Sequence, residues 1–262
     1  MIRVVVNGAL GRMGSEVVRT VVQAQDMDLV GAVDAMGAGK TVSLGSDGSF
    51  LSVTTELKST LENTHPDVVV DFTRPDVVMQ SLRIVLGLGI VAVVGTTGFS
   101  KEDLNELDLL AQAKATGILI APNFALGAIL MMKVACEAAK YFPQVEIIEM
   151  HHDQKLDAPS GTAVLTAQKL AEVRGGFVAQ GHPEEVEKLA GARGASYEGM
   201  RIHSVRLPGF VASQEIIFGS AGETLKIRND SINRECYMPG VVLGCHKMLN
   251  KKGLVYGLDQ LL

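Results

Sequence analysis

Short runs of β-branched residues recur through the first half of the chain, and stretches of helical period separate them. The runs are IRVVVNG, MDLVGAVD, PDVVVDFT, GIVAVVGTTG and GILIAPN. They show little polar alternation, which is the pattern of strands buried on both faces of a parallel sheet. Between the first two, SEVVRTVVQAQ keeps Val17, Val18, Val21 and Val22 at helical spacing, and further helices are expected around 79–88 and 101–114. Strand and helix in alternation predict an α/β fold built on a doubly wound parallel sheet.

The pattern changes near Phe124. ALGAILMMKVACEAAKYF reads as a long apolar helix closed by Pro143, QVEIIEMHH as a strand, and a helix is expected from about Pro159 to Val173. After a polar, Gly-rich stretch over 175–199, MRIHSVRLPGFVASQEIIFGSAGETLKIRND reads as strands joined by Gly turns. That predicts an α+β domain whose mixed sheet contains antiparallel pairing. MPGVVLGCHKMLNKKGLVYGLDQLL then reads as a helix and a short tail that can cross back to the first domain. The expected division is residues 1–126, rejoined by about 240–262, and residues 127–239. A chain of 262 residues, 47% hydrophobic and 20% charged, can bury a core in each.

Several function classes are disfavoured at this level. A net charge of −5 gives no field that draws in nucleic acid or an anionic membrane. The most apolar stretch, IVLGLGIVAVVG, is too short and too interrupted by glycine to span a bilayer. MIRVVVNG lacks the marks of a secretory signal. Cys136, Cys236 and Cys245 are odd in number and have no metal-site spacing, so they read as reduced thiols of a cytoplasmic protein.

Two regions carry chemistry. In VVVNGALGRMGSEVV, Gly8, Gly11 and Gly14 lie between a strand and a helix, where backbone can approach a pyrophosphate at the helix N-terminus. The spacing is GxxGxxG rather than GxGxxG, and alone it fits a plain Gly-rich turn equally well. Asp34 ends the second strand about twenty residues on, where an acid accepts from ribose hydroxyls. Strand, glycines, helix, strand and acid in that order favour a nucleotide site. VVGTTGF and APNFALG follow strands that end on the same sheet edge, and Thr96, Thr97 and Asn123 offer polar groups there. Either motif alone is also ordinary loop chemistry.

The second region is EMHHDQKLDAPSGTA, from Glu149 to Ala163. His151 and His152 are neighbours at a strand end and point in different directions. This suits one facing a reaction and the other a substrate or a supporting partner; it suits a shared metal poorly, and no metal is expected. Lys155 adds a cation. Pro159 is expected in the first helical turn, with the N–H groups of Ser160, Gly161 and Thr162 exposed as a receptor for carboxylate or phosphate. A solvated, capped loop is the plain alternative, and the density of donors argues against it. Arg193, Arg206 and Arg228 either face an anion or lie on the surface. His65, His182, His203 and His246 have no legible partner, and Met131–Met132 read as core.

GALGRMG, DFTRP, GTTGF, APNFALG and HHDQKLDAPSGTA stand in an order that resembles the dihydrodipicolinate (4-hydroxy-tetrahydrodipicolinate) reductase family nearly end to end. The resemblance implies an N-terminal Rossmann domain, a C-terminal substrate and assembly domain, and a homotetramer. The implied activity is NAD(P)H-dependent reduction of a small dicarboxylate in diaminopimelate and lysine synthesis. By position it implies cofactor contacts at Gly8, Ala9, Leu10, Gly11, Arg12 and Met13, at Asp34, at Gly95, Thr96 and Thr97, and at Ala121, Pro122, Asn123 and Phe124. His151 and Lys155 match the catalytic pair, and His152, Gly161 and Thr162 match the substrate-carboxylate contacts.

Two departures stand out. Ala35 and Met36 follow Asp34 where relatives that favour NADPH often carry a basic residue, so NADH is expected to serve at least as well as NADPH. Arg12 and Lys40 are the cations within range to reverse that preference. Gln214 and Arg228–Asn229 stand where many relatives carry histidines, which bears on the far wall of the substrate pocket. The rival readings are another two-domain NAD-dependent dehydrogenase, a ligand sensor without turnover, and a metal-dependent hydrolase built on His151, His152 and Asp153. The first leaves the HH…K…DAPSGT constellation unexplained.

Overall fold

The computed structural model describes residues 1–45 and 48–262. The first elements in chain order are β1 (Ile2–Asn7), α1 (Arg12–Gln23), β2 (Met27–Val33), β3 (Thr41–Ser43), β4 (Phe50–Thr54), α2 (Leu57–Thr64) and β5 (Val68–Asp71). Then come α3 (Pro75–Gly87), β6 (Val91–Val94), α4 (Lys101–Ala113) and β7 (Gly117–Ile120). Next are α5 (Leu126–Ala139), β8 (Gln144–His151), α6 (Gly161–Arg174), β9 (Ala195–Tyr197), β10 (Met200–Arg206), β11 (Ala212–Ser220) and β12 (Glu223–Ser231). Then follow α7 (Met238–Met248), β13 (Gly253–Tyr256) and a 3₁₀ turn over Leu258–Leu261. It divides into two compact units: Met1–Ala125 with Tyr237–Leu262, and Leu126–Cys236.

In the first unit an eight-stranded sheet runs β13-β7-β6-β5-β1-β2-β4-β3. Every recorded pairing is parallel except that of β3 with β4. Strands β5, β6 and β7 are buried at every position, which is why, apart from the Asp71 that closes β5, they are apolar throughout rather than alternating. Side chains alternate between faces. Val5, Val69, Ala92 and Ile118 meet Leu61, Leu82 and Leu107 from α2, α3 and α4. On the opposite face a side chain placed at Gly244 of α7 would strike Leu119 and Val93, and α7 packs against α1. Helices therefore cover both faces.

Local signals set the helix ends. Ser100 Oγ accepts from the Asp103 N–H (3.1 Å) while an Asp103 carboxylate oxygen accepts from the Ser100 N–H (2.9 Å), so α4 starts at Lys101. Helix α3 begins at Pro75, earlier than its apolar period indicates, because proline at the first position starts a turn that valines alone do not mark. Helix α6 begins two residues later than expected. Ser160 is its N-cap, with Oγ accepting from Ala163 N–H at 3.2 Å, so Pro159 lies outside the helix. Helix α5 ends at Ala139, ahead of Pro143. The C-terminal tail contains β13, which pairs in parallel with β7.

The second unit holds a five-stranded mixed sheet, β12-β11-β8-β10-β9, in which β8 and β10 are parallel and the other pairs antiparallel. The apolar face of β8 (Val145, Ile147) joins Ile216 and Phe218 of β11 and Met200 and Ile202 of β10 in the core, with α6 packed against β8.

Leu82 has no exposed surface, whereas Leu109 of α4 is 59% exposed. Leu82→Ala is expected to cost about 2–5 kcal/mol of unfolding free energy and Leu109→Ala less than about 0.5 kcal/mol. Urea denaturation of the two variants checks this; equal costs would contradict the packing.

Candidate active site

The first candidate site lies at the C-terminal edge of the parallel sheet. Strand order reverses between β1 and β5, and ligands in such sheets bind outside the strand ends at that point. A pocket of about 360 Å³ opens there, lined by Arg12, Met13, Phe72, Thr73, Pro75, Gly95, Thr96 and Thr97. Its walls come from the loops after β1, β5 and β6.

Close backbone approach explains the glycines. A Cβ on Gly14 would lie 1.9 Å from Gly8 O, and one on Gly95 would lie 2.0 Å from the Phe72 ring. Within the glycine loop most N–H groups are already used. Gly8 and Ala9 donate to Val33 O, Leu10 donates to the Asp34 carboxylate (3.0 Å), and Gly11 donates to Gly8 O. Arg12 and Met13 open α1, where N–H groups lack an intrahelical acceptor, and the N-cap Gly11 offers no side chain to satisfy them. These two residues face the pocket, which suits an anion.

Asp34 follows β2, and its other oxygen accepts from Met36 N–H at 2.9 Å. Asp34 and the run from Ala121 to Phe124 do not line the pocket, yet each is tied to a loop that does. Leu10 links Asp34 to the glycine loop. Phe124 is buried against Phe72 with ring centroids 5.7 Å apart, and Asn123 holds its own turn through Ala125 N–H (2.8 Å).

Beneath these loops Asp71 is fully buried, accepting from Asn7 (2.7 Å) and from the Thr73 N–H and hydroxyl (2.9 and 2.6 Å). Burial pushes its carboxyl above the usual range, and the hydrogen bonds from Thr73 and Asn7 only partly oppose this.

The second candidate site is in the other unit, where β8 runs into the loop before α6. His151 ends the strand half-buried, with Nδ1 2.5 Å from the carboxylate of Glu149. Glu149 has no exposed surface. Arg206 of β10 grips it with both terminal nitrogens (2.9 and 2.7 Å), and Ser160 N–H reaches its other oxygen at 3.3 Å. Burial pushes the Glu149 carboxyl up, but hydrogen bonds from His151, Arg206 and Ser204 outweigh it and hold it at about 2.

His152 is exposed, and its carbonyl accepts from Lys155 N–H at 3.2 Å. Lys155 Nζ pairs with Asp157 at 2.7 Å. Gly161 and Thr162 are the first residues of α6, so their N–H groups have no intrahelical acceptor. A Cβ on Gly161 would meet nothing within 4 Å, so the space over that turn is open. Ser160 differs from expectation: Glu149 occupies its N–H, and it is not a free donor.

The matching family models are described as "Dihydrodipicolinate reductase, N-terminus" over residues 2–124 and "Dihydrodipicolinate reductase, C-terminus" over residues 127–262. The chain belongs to the dihydrodipicolinate reductase family. It is 52% identical over 265 residues to the 4-hydroxy-tetrahydrodipicolinate reductase of Desulfitobacterium hafniense, covering 100% of this chain and 98% of that one. It is 53% identical over 262 residues to the enzyme of the same name from Listeria monocytogenes, covering 99% of each. Among solved structures it resembles a dipicolinate-bound dihydrodipicolinate reductase from Paenisporosarcina sp. TG-14, with 48% identity, a TM-score of 0.90 and complete coverage of both chains.

Against this membership of the reductase family, the residues left open by sequence take definite places. Arg193 pairs with Glu146 and Glu185, Arg206 with Glu149, and Arg228 with Glu215 and Asp230, so none stands as an unpaired cation. His203 and His246 face Glu146 and Asp26, His182 Nδ1 accepts from Glu184 N–H, and His65 caps α2 in the left-handed region. Gln214 is buried on the core side, donating to the Thr166 hydroxyl at 2.8 Å. Asn229 sits so close to Gly127 that a Cβ there would lie 2.1 Å from its Oδ1. Both departures thus have packing roles within the second unit. Among the described residues no group of three or more His, Cys, Asp or Glu is arranged to hold a metal.

Sequence reasoning gave no site role to Phe72, Thr73 and Pro75, although they lie in the DFTRP motif and follow a strand ending on the same edge as the assigned loops. It also passed over Glu149. The signal was the alternation of β8, which puts Glu149 on the face of Val145 and Ile147.

The Glu149 carboxyl is depressed in the folded state, so its stabilisation is complete above the unfolded value near 4.5 and is lost as pH falls toward about 2. Glu149→Gln is expected to lower the urea midpoint at neutral pH, with the deficit relative to wild type shrinking across that window. A deficit unchanged at the acid end would contradict the assignment.

Proposed function

We propose that this chain reduces 4-hydroxy-tetrahydrodipicolinate, by way of its dehydrated form, to tetrahydrodipicolinate in diaminopimelate and lysine synthesis. The observation that carries this reading is the juxtaposition, on one loop, of His151 held by Glu149, Lys155, and the open first turn of α6 at Gly161 and Thr162. A planar dicarboxylate with a conjugated imine needs those parts: cationic and N–H donors for the carboxylates, and an acid for the imine. That the Paenisporosarcina relative was solved with dipicolinate, itself a planar dicarboxylate, supports the same class of substrate.

The first unit fits a nicotinamide dinucleotide. The backbone contact at Gly8 and Gly14, the side-chain-free N-cap of α1 and the carboxylate of Asp34 suit pyrophosphate and ribose respectively. When bound, the cofactor supplies a hydride. Gly8 to Met13, Asp34, Gly95 to Thr97 and Ala121 to Phe124 are proposed to hold it. The second unit is proposed to supply the rest. Gly161 and Thr162 N–H groups with His152 bind a carboxylate, and Lys155, released from Asp157, neutralises the dianion. His151 delivers the proton that completes reduction. Removing Asp157's partner costs little, because the pair is exposed on the carboxylate side. The reading includes a homotetrameric assembly and a cytoplasmic setting.

NADH is proposed to serve at least as well as NADPH. Asp34 repels a 2′-phosphate, and the next two residues, Ala35 and Met36, carry no cation. Arg12 lines the pocket and is the residue to test for rescue of NADPH.

A coupled assay, with substrate generated by dihydrodipicolinate synthase from pyruvate and aspartate semialdehyde, tests the reaction with both cofactors. Synthase-dependent oxidation with kcat/KM for NADH equal to or above that for NADPH is expected. No turnover with either cofactor would refute the reaction, and a strong NADPH preference would refute the specificity. His151→Ala and Lys155→Ala are expected to lower kcat by roughly 10²–10⁴-fold while NADH affinity, measured by fluorescence titration, persists. Loss of NADH affinity in either variant would contradict the division of labour.

A further inference from the structure

Glu149 is a buried carboxylate that the proposed reaction does not use directly, and its contacts all bear on the residue that does. Strand alternation places it with His151 on one side of β8. One oxygen meets His151 Nδ1 at 2.5 Å and Arg206 Nη1 at 2.9 Å. The other meets Arg206 Nη2 at 2.7 Å and Ser160 N–H at 3.3 Å. Arg206 is itself fastened, donating to Val205 O and Asp157 O at 2.8 Å each. Gln214, opposite Glu149 on β11, contributes a neutral amide committed to Thr166. The charged groups around Glu149 are therefore His151 from its own strand and Arg206 from β10, with Ser204 and the α6 N-terminus adding neutral donors.

An ionised carboxylate accepts hydrogen bonds and cannot donate one. The nitrogen facing it must then be Nδ1–H, and the imidazole carries its exchangeable chemistry on Nε2. We propose that Glu149, locked by Arg206 and Ser160, is the positioning residue that fixes His151 with Nδ1 protonated and presents Nε2 as the atom that gives up the proton. The proposal deepens the reductase reading and rests on His151 being the donor there. In the step, the Nε2–H bond of the imidazolium breaks and its proton bonds to the conjugated substrate atom onto which the π-electron pair moves when hydride adds elsewhere in the conjugated system. The neutral ring keeps its Nδ1–H toward Glu149 and regains the Nε2 proton from water.

The network also couples the two ends of the loop. Arg206 touches both the carboxylate behind His151 and the carbonyl of Asp157, whose side chain holds Lys155. One guanidinium thus sets the spacing between the donor and the cation.

The test uses the full-length protein. Long-range proton–nitrogen spectra of protein labelled with ¹⁵N-histidine, at mildly alkaline pH and without ligand, are expected to show His151 protonated on Nδ1 in wild type. In Glu149→Gln the population is expected to move toward the Nε2–H tautomer, and identical tautomers in both would overturn the proposal. In the coupled assay Glu149→Gln is expected to lose roughly 100-fold in kcat, with the KM for the dicarboxylate and the NADH Kd essentially unchanged. That variant takes away the principal counter-charge of Arg206, so Glu149→Gln/Arg206→Met, which removes both ions of the pair, controls for folding. The double variant is expected to regain thermal stability without regaining kcat. Recovery of kcat would overturn the proposal by showing that Glu149 only balances Arg206. Should wild type itself fail to turn over, the reductase reading falls, while the tautomer comparison still decides the geometry.

Discussion

A carboxylate taken wholly out of water must be matched by donors placed close to it, and the second unit is arranged around that demand at Glu149. Leaving such a charge uncompensated costs several kcal/mol, enough to outweigh many apolar contacts. The compensation comes from three separate elements. Parallel pairing sets Ser204 against Glu149 and Arg206 against His151, which brings the guanidinium alongside. The turn into α6 must also bring Ser160 back to the strand. With both ends of the loop pinned, 152–159 has little freedom, and Lys155 and the first turn of α6 are carried into place with it.

Asp71 in the first unit shows what happens without a cation. It too is buried and has several donors, but they are the amide of Asn7 and the N–H and hydroxyl of Thr73. Burial wins there and the carboxyl is pushed up, whereas at Glu149 Arg206 and His151 reverse the sign. The consequences for pH are opposite. Asp71 destabilises the fold as it ionises with rising pH, and Glu149 stabilises it once ionised. Asp71 nevertheless ties the end of β1 to the loop after β5, so the pocket walls share one polar anchor.

The parallel sheet was legible because strands buried on both faces leave no room for polar alternation, and Val68–Val70 or Ile118–Ile120 fit few other structures. The elements missed are short or lie toward sheet edges. Strands β3, β9 and β13 are three or four residues long, and Gly253–Tyr256 makes sense as a strand only beside β7. The density of ionisable groups in HHDQK pointed to the second candidate site. The meaning of Glu149 did not show, because it depends on Arg206, 57 positions away, and no local pattern joins them. The same holds for Phe72, whose role appears only when Gly95 and Phe124 close on its ring.

The return of the chain through α7 and β13 carries a consequence for biosynthesis. Strand β7 has β6 on one side and β13, which follows the whole second unit in the chain, on the other. During translation the first 125 residues emerge long before their final neighbours, and the whole second unit is synthesised while that edge stays open. An unpaired edge of Gly-Ile-Leu-Ile is a template for intermolecular pairing. The nascent chain thus carries a sticky edge until Gly253–Tyr256 have been made and have paired with β7.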